Sequence, residues 1–428
     1  MKTSLKELKT FFILWSTQSL SHLGSSMTSF ALTLWLYEST GSALQTALLS
    51  ICTYAPYVLM SIFAGALSDR WDKKKVMLVC DTLAACSTVA VLILLKLELL
   101  RPFHMYLLNA LNGLMNTVQQ PANDVAMTLI TPKRLYQKTG GLRSFSQSLV
   151  TILHPVLATA IFAFAGMDAV IWIDLTTFAI AFLALLLFIR IPAVSKKDAV
   201  KKESVLMAAK AGLVYLRKNQ LILLLILFLA GVNLVASAFD AALPPFVLAR
   251  DNGGETVLGI VTSCAGIATL VGSLTVTLLP TPKNRVRVIY LTMLFSLTIE
   301  NFLLAFGNTP IFWCIGQFVG WVLVPIMSAN LDVILRSSIP VEMQGRVYSC
   351  RNTLQFFTIP IGLFLGGWMV DGCELWMKGQ SSDSIVGTVF GIGSGSGASV
   401  VMFILGIAGA VICLGFGRVL RQYEYHEG

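Results

Sequence analysis

Residues 65–75 read Gly65-Ala66-Leu67-Ser68-Asp69-Arg70-Trp71-Asp72-Lys73-Lys74-Lys75. This dense run of charge closes one long apolar stretch, Leu44 to Leu67, and opens another, Val76 to Leu95. An apolar helix of about 20 residues crosses the roughly 30 Å of bilayer hydrocarbon, so the charged run is a loop between two membrane spans. Working outward, the same pattern repeats along the chain. Spans are expected at Phe11 to Leu36, Phe103 to Val125, Leu142 to Ala165 and Ala169 to Ile189, and then at Leu221 to Phe239, Val257 to Leu279, Val288 to Phe306, Ile311 to Val333, Leu354 to Val370 and Ala398 to Phe416. The composition agrees: of 428 residues, 56% are hydrophobic and 12% charged, against about 25% charged in ordinary soluble domains. A soluble globular protein is excluded, and twelve spans fit the length better than six or seven.

The net charge of +9 first has to be placed relative to the bilayer. With the N-terminus in the cytoplasm, 27 of the 31 Lys and Arg fall in loops or at span ends on that side, and only Lys96, Arg101, Arg250 and Lys378 fall opposite. Positive charge on cytoplasmic loops orients membrane proteins, so a multi-pass protein of the inner (cytoplasmic) membrane is expected, with both termini cytoplasmic. The basic excess also suits anionic membrane lipid as a partner and makes nucleic acid an unneeded one. The first apolar run lacks a cleavage pattern of small residues and reads as a retained helix.

Eight cysteines occur singly with no CxxC spacing, so neither a disulfide framework nor a zinc site is expected. There is no Walker motif, no metal-ligand cluster and no nucleophile with a base at credible spacing. The glycine-rich Gly391 to Gly397 lacks the Lys-Ser or Lys-Thr that a phosphate loop needs. The sequence therefore points to no enzyme activity, no cofactor and no metal.

The two halves resemble one another. Asp124 and Asp332, Pro132 and Pro340, and Asn109 and Gln317 are each 208 residues apart. The repeat implies an all-α membrane protein of twelve transmembrane helices in two pseudo-symmetric six-helix halves of parallel topology. The halves are residues 1–190 and 221–428, joined by a basic cytoplasmic linker, 191–220.

On these residues the chain resembles the major facilitator superfamily. Gly65 to Lys75 is similar to that family's G-x-x-x-D-R-x-x-R/K-R/K motif and falls between the second and third spans, as the motif requires. Asp72 in place of Gly resembles the drug and proton antiporter branch, which includes macrolide efflux proteins and siderophore exporters. Pro340 to Val347, the Gly391 to Gly397 run, Pro360-Ile361-Gly362, Gly366-Gly367 and Asp371 resemble the same branch. The resemblance implies alternating access, with a substrate site near the midplane between the halves. It also implies gating by Gly65, Asp69, Arg70, Lys73, Lys74, Asp124, Asp332 and Arg346. In that scheme Asp69 faces the N-terminal end of span eleven, Arg70 pairs with Asp124, and the cluster latches the outward-facing state. Two departures stand out: the equivalent loop after span eight, Thr281 to Arg287, keeps basic charge but has no Asp partner, and span five keeps only His154-Pro155 of an antiporter motif.

Polar residues fall at helical spacing in span one (Gln18, His22, Ser25, Ser29) and in span four (Asn109, Asn112, Asn116, Gln119, Asn123), giving each helix one polar face. Such groups are costly in hydrocarbon unless they meet partners or water. Spans seven and ten add Asn233, Gln317 and Trp321. By the resemblance these four spans line the substrate cavity; hydrogen bonding between helices is the alternative. Acids also lie within spans: Glu300, Asp240, Asp81 and Asp174. A carboxyl group taken out of water favours its neutral form, so these are candidates for proton coupling. The expected function is proton-coupled efflux of amphipathic small molecules, macrolides or other drugs, by a carrier acting as a monomer. A siderophore or metabolite exporter, and a non-transporting receptor or assembly factor on the same scaffold, are the alternatives.

Overall fold

The computed structural model describes residues 8–132, 135–191, 205–278 and 280–423; within its helices, the side chains of 61–70, 137–138, 205–209, 341–342, 345 and 349 lie outside that description. The described residues form fifteen helices and no strand. They are α1 (Lys9–Thr40), α2 (Ala43–Arg70), α3 (Lys73–Lys96), α4 (Pro102–Leu129), α5 (Tyr136–Phe188), α6 (Val205–Lys218), α7 (Gln220–Leu248), α8 (Glu255–Leu278), α9 (Arg285–Phe306), α10 (Pro310–Val322), α11 (Val324–Ser338), α12 (Val341–Phe356), α13 (Thr358–Met377), α14 (Ile385–Phe390) and α15 (Ser396–Leu420).

Among the described residues, nine helical stretches are long and apolar enough to cross a membrane. One of them, 139–188, holds two spans, because Gly166 breaks α5 at φ 75° and ψ 179°. That left-handed backbone strains any residue with a Cβ. Two further long helices, α1 and α4, are outside these nine, and they carry the polar stripes. Counting them, the spans number twelve, as the sequence predicts. Spans ten and eleven differ in detail: each is interrupted, at Leu323 and at Phe357, just ahead of Pro325 and Pro360, whose missing N–H and ring geometry unsettle the preceding turn.

The chain divides into two compact units. The first takes residues up to Thr33 together with Cys52–Met207; the second takes Leu34–Ile51 and everything from Ala208. In the first unit α3 packs on α4 and on α5. One end is filled by Phe11, Leu14, Met77, Val118, Ala122, Leu185 and Ile189, all buried, so the polar faces of α1 and α4 are left to border open space. Asp72 caps α3 by accepting from the Lys75 N–H at 3.0 Å, the local reason for an acid there.

In the second unit α9 packs on α15, α7 on α13 and α8 on α10. The segment Leu34–Ile51 is held by α13. Asp371 accepts the N–H groups of Ala43 and Leu44 at 2.7 and 3.1 Å and the Ser42 hydroxyl at 2.6 Å, and so serves as the N-terminal cap of α2. Ala47 packs with Ala241 and Leu363. The basic stretch before span seven contains α6, which the sequence reading does not anticipate; Tyr215 ties it to α11 by donating to the Ser338 carbonyl at 2.7 Å.

Candidate functional site

The first unit lines an open cavity of about 1170 Å³. The span-one and span-four stripes both border it: Gln18, His22, Ser25 and Ser29 from α1, and Asn109, Asn112, Asn116, Gln119 and Asn123 from α4. Both stripes thus resolve into one wall, because residues three or four apart share a helix face. Trp15, Leu32, Tyr57, Leu108 and Phe178 supply apolar and aromatic patches between the amides, so the lining is amphipathic. Trp15 Nε1 donates to Ser146 Oγ at 3.1 Å, which fixes the indole at the cavity edge.

Two carboxylates face this space, Asp81 from α3 and Asp174 from the second limb of α5. Gln119 Nε2 donates to Asp81 Oδ1, and Gln18 stands beside the same carboxylate. Asn112 Oδ1 and Asn123 Oδ1 are buried without partners. Orphaned polar atoms of this kind cost about 1–3 kcal/mol each when nothing satisfies them, so the wall is built for occupants that bring hydrogen-bonding groups or for water. The lining also includes Arg143, whose guanidinium pairs with Asp124.

That ion pair joins Asp124 to Arg143, from the next helix; the expected Arg70–Asp124 pairing falls on a side chain outside the described residues. Gly65, Asp69 and Arg70 end α2, and their side chains lie outside the described residues. Lys73 is buried at the start of α3. Lys74 reaches across the unit, its Nζ donating to the carbonyls of Leu186 at 3.0 Å and Ile189 at 2.7 Å, where it satisfies the end of α5 and suits the negative end of its dipole. In the second unit Asp332 is exposed on α11 and acts electrostatically on Arg351. Arg351 is 208 residues from Arg143, so the acid–arginine relation recurs in both halves. Arg346 lies on α12 with its guanidinium near Met343 Sδ.

Of the remaining cavity candidates, Asn233, Gln317 and Trp321 belong to the second unit. Asn233 Nδ2 donates to the Gln355 carbonyl at 3.0 Å. Gln317 is 1% exposed and its Nε2 has no partner. Glu300, on α9, is 5% exposed and presses against Gly320 of α10, where even a methyl group would collide with its carboxyl. Its Oε1 has no hydrogen-bond partner, and Asp240 of α7 acts on it electrostatically. Glu300 is thus buried on α9, while Asp240 stands exposed on α7.

A cluster absent from the sequence reading lies where α7 ends. Arg250 donates to Ser399 Oγ and to Asn308 Oδ1 at 3.2 Å, and its guanidinium sits 5.2 Å from the Phe246 ring centroid. Burial lowers the affinity of this guanidinium for its proton, and Glu374 and Asp251 oppose that effect. Glu374 in turn accepts the Ala398 N–H at 3.2 Å, at the start of α15. Its sequence signal was Arg250 itself, one of four basic residues on the sparsely charged side.

Comparison with known proteins gives one consistent result. The family model described as Major Facilitator Superfamily matches residues 14–246. Macrolide efflux protein A of Streptococcus pyogenes is 25% identical over 373 residues, which cover 86% of this chain and 91% of that protein. The multidrug efflux pump Tap of Mycolicibacterium fortuitum is 24% identical over 364 residues, covering 82% and 87%. Among solved structures, a variant of the nucleoside transporter NupG superposes with a TM-score of 0.70 at 16% identity, covering 95% of this chain and 99% of that one.

Proposed function

The chain belongs to the major facilitator superfamily, and from that premise we propose that it exports amphipathic small molecules, macrolides or other drugs among them, by proton-driven alternating access. The observation that carries the reading is the cavity of about 1170 Å³ with an amide wall, aromatic patches and carboxylates. Drug-sized pockets run about 300–1,000 Å³, so this one has room for a large ligand, and its mixed lining suits a molecule with apolar and polar faces. The names of the relatives, macrolide efflux protein A and a multidrug efflux pump, support the same substrate class.

For the proton, the reading takes Glu300 with Asp240. A carboxylate in the bilayer interior costs roughly 2.5–3.5 kcal/mol on insertion scales, and no Lys or Arg forms an ion pair with either acid among the described residues. Protonation removes that cost, and the neighbouring acid gives the proton a second place to reside. Asp81, held by Gln119 at the cavity wall, is where substrate and proton would compete. The gating role of Asp124, Asp332 and the basic loop belongs to the same proposal, as does the orientation with both termini in the cytoplasm of a bacterial cell.

Purified protein in liposomes, with an imposed pH gradient and radiolabelled macrolides, dyes and siderophores outside and inside, tests the reading. Gradient-driven flux of a macrolide or dye that disappears in Glu300→Gln is expected. Binding without gradient-driven flux for every ligand tried would refute the coupling, and flux of siderophores alone would refute the substrate class.

A further inference from the structure

Asp174 is only 4% exposed, and it is set apart from the other acids by what surrounds it. Ser25 Oγ donates to its Oδ1 at 2.9 Å, and Thr88 Oγ1 lies 3.3 Å from its Oδ2. Thr28, one helical turn from Ser25, stands beside the same carboxylate, yet its Oγ1 makes no hydrogen bond of acceptable geometry although the residue is only 6% exposed. Three helices thus meet at one carboxylate: α1 brings the Ser25 and Thr28 hydroxyls, α3 the Thr88 hydroxyl, and α5 Asp174 itself. No Lys, Arg or His forms an ion pair with it among the described residues.

A carboxylic acid carries one proton and is satisfied by one acceptor and one donor, and a hydroxyl can play either part. Three hydroxyls gather round this one carboxyl, more than a neutral acid uses, and Thr28 Oγ1 is the one without a hydrogen bond. An ionised carboxylate without a counter-charge is expensive inside a membrane protein. A mobile positive charge seated among these oxygens would balance it. Hard oxygen ligands select hard cations, and divalent ions recruit several carboxylates. One carboxylate and neutral hydroxyls balance a single charge, and among the described residues no group of three His, Cys, Asp or Glu could hold a metal.

We propose that Asp174, Ser25, Thr28 and Thr88 form a binding site for a monovalent alkali cation, Na⁺, at the border of the first-unit cavity. The site uses hydroxyl and carboxylate oxygens only, and the spare Thr28 lone pairs are the ligand that the ion completes. It is independent of which molecule the cavity carries and of the acids in the second unit, so failure of the efflux reading would leave it standing.

The test is thermal unfolding of the purified full-length protein in detergent, in NaCl, KCl or choline chloride at matched ionic strength and at several pH values. Na⁺ is expected to raise the unfolding midpoint in a saturable manner by several degrees, with choline without effect. Asp174→Asn should abolish the response, and Thr28→Val should weaken the apparent affinity by about tenfold, which is about 1.4 kcal/mol. Asp81→Asn, in the same cavity wall, should keep the response. Should Asp174→Asn fail to fold, the double variant of Ser25→Ala and Thr28→Val carries the test, with loss of the response expected. Equal midpoints in NaCl and choline chloride at every pH would overturn the proposal, as would a Na⁺ response that survives removal of these ligands. A stabilisation that follows pH alone and is lost in Asp174→Asn would also overturn it, by assigning the site to a proton.

Discussion

Glu300 and Gly320 show how much rests on single atoms. The carboxyl of Glu300 occupies the space where a Cβ on Gly320 would lie, and Ser296, one turn before Glu300, donates to the Gly320 carbonyl at 2.7 Å. The acid is therefore seated in a notch cut by the absence of a side chain. Gly320→Val should cost about 1–3 kcal/mol by overpacking, read as a lower thermal midpoint of the purified protein; an unchanged midpoint would show that α10 stands further off than described. The sequence marks Glu300 as a buried acid because hydropathy exposes any charge inside an apolar run. It does not mark the notch, since one glycine among the 33 in this chain carries no signal of what it faces. Asp124 teaches the same lesson. Its repeat position and its place near the end of a span are visible in sequence, but its ion pair with Arg143 joins two helices, and spacing along a chain does not encode distance across a turn.

At the scale of elements, the polar stripes of α1 and α4 are fully legible, because period 3.6 on a helix maps directly to one face. The same stripes lower the apolarity of those two helices below that of the other spans, so the feature that identifies the cavity wall also obscures the membrane crossing. α6 and α14 are not legible, because neither is long and apolar: α6 is docked through Tyr215, and α14 is a six-residue helix begun by its own Ser384 cap on the Gly387 N–H. The cap that Asp371 places on α2 is a tertiary contact, as Tyr215 is. Free N–H groups at a helix start attract an anion, and Asp371 satisfies two of them. Asp371→Ala is expected to cost about 0.5–2 kcal/mol and to speed hydrogen exchange at the Ala43 and Leu44 amides relative to the middle of α2. Exchange rates equal to the parent protein would mean that the cap carries no weight.

For the whole molecule, the count of twelve spans and the family follow from the pattern of apolar runs, the 208-residue repeat and the loop after span two. The repeat extends further than the motif comparison suggests, since Arg143 and Arg351 also stand 208 apart and each acts on the acid of its own half. The orientation belongs to this scale as well. In a cysteine-free background, Lys96→Cys and Lys378→Cys should react with a membrane-impermeant thiol reagent added to intact cells, and Lys283→Cys only after the membrane is opened. Labelling of Lys283→Cys in intact cells would invert the topology drawn from the 27 cytoplasmic charges.

The joint at Gly166 has a mechanical meaning. The two membrane-crossing limbs of α5 meet at a single residue with φ 75°, and successive Cα atoms are held about 3.8 Å apart across a trans peptide. Such a connection has no slack. The two limbs are kept adjoining by that one residue, while the freedom of a glycine backbone lets the angle between them change. The joint is a pivot: the limb with the Arg143–Asp124 pair and the limb with the hydroxyl-ringed acid share an end, and only rotation at Gly166 separates their directions.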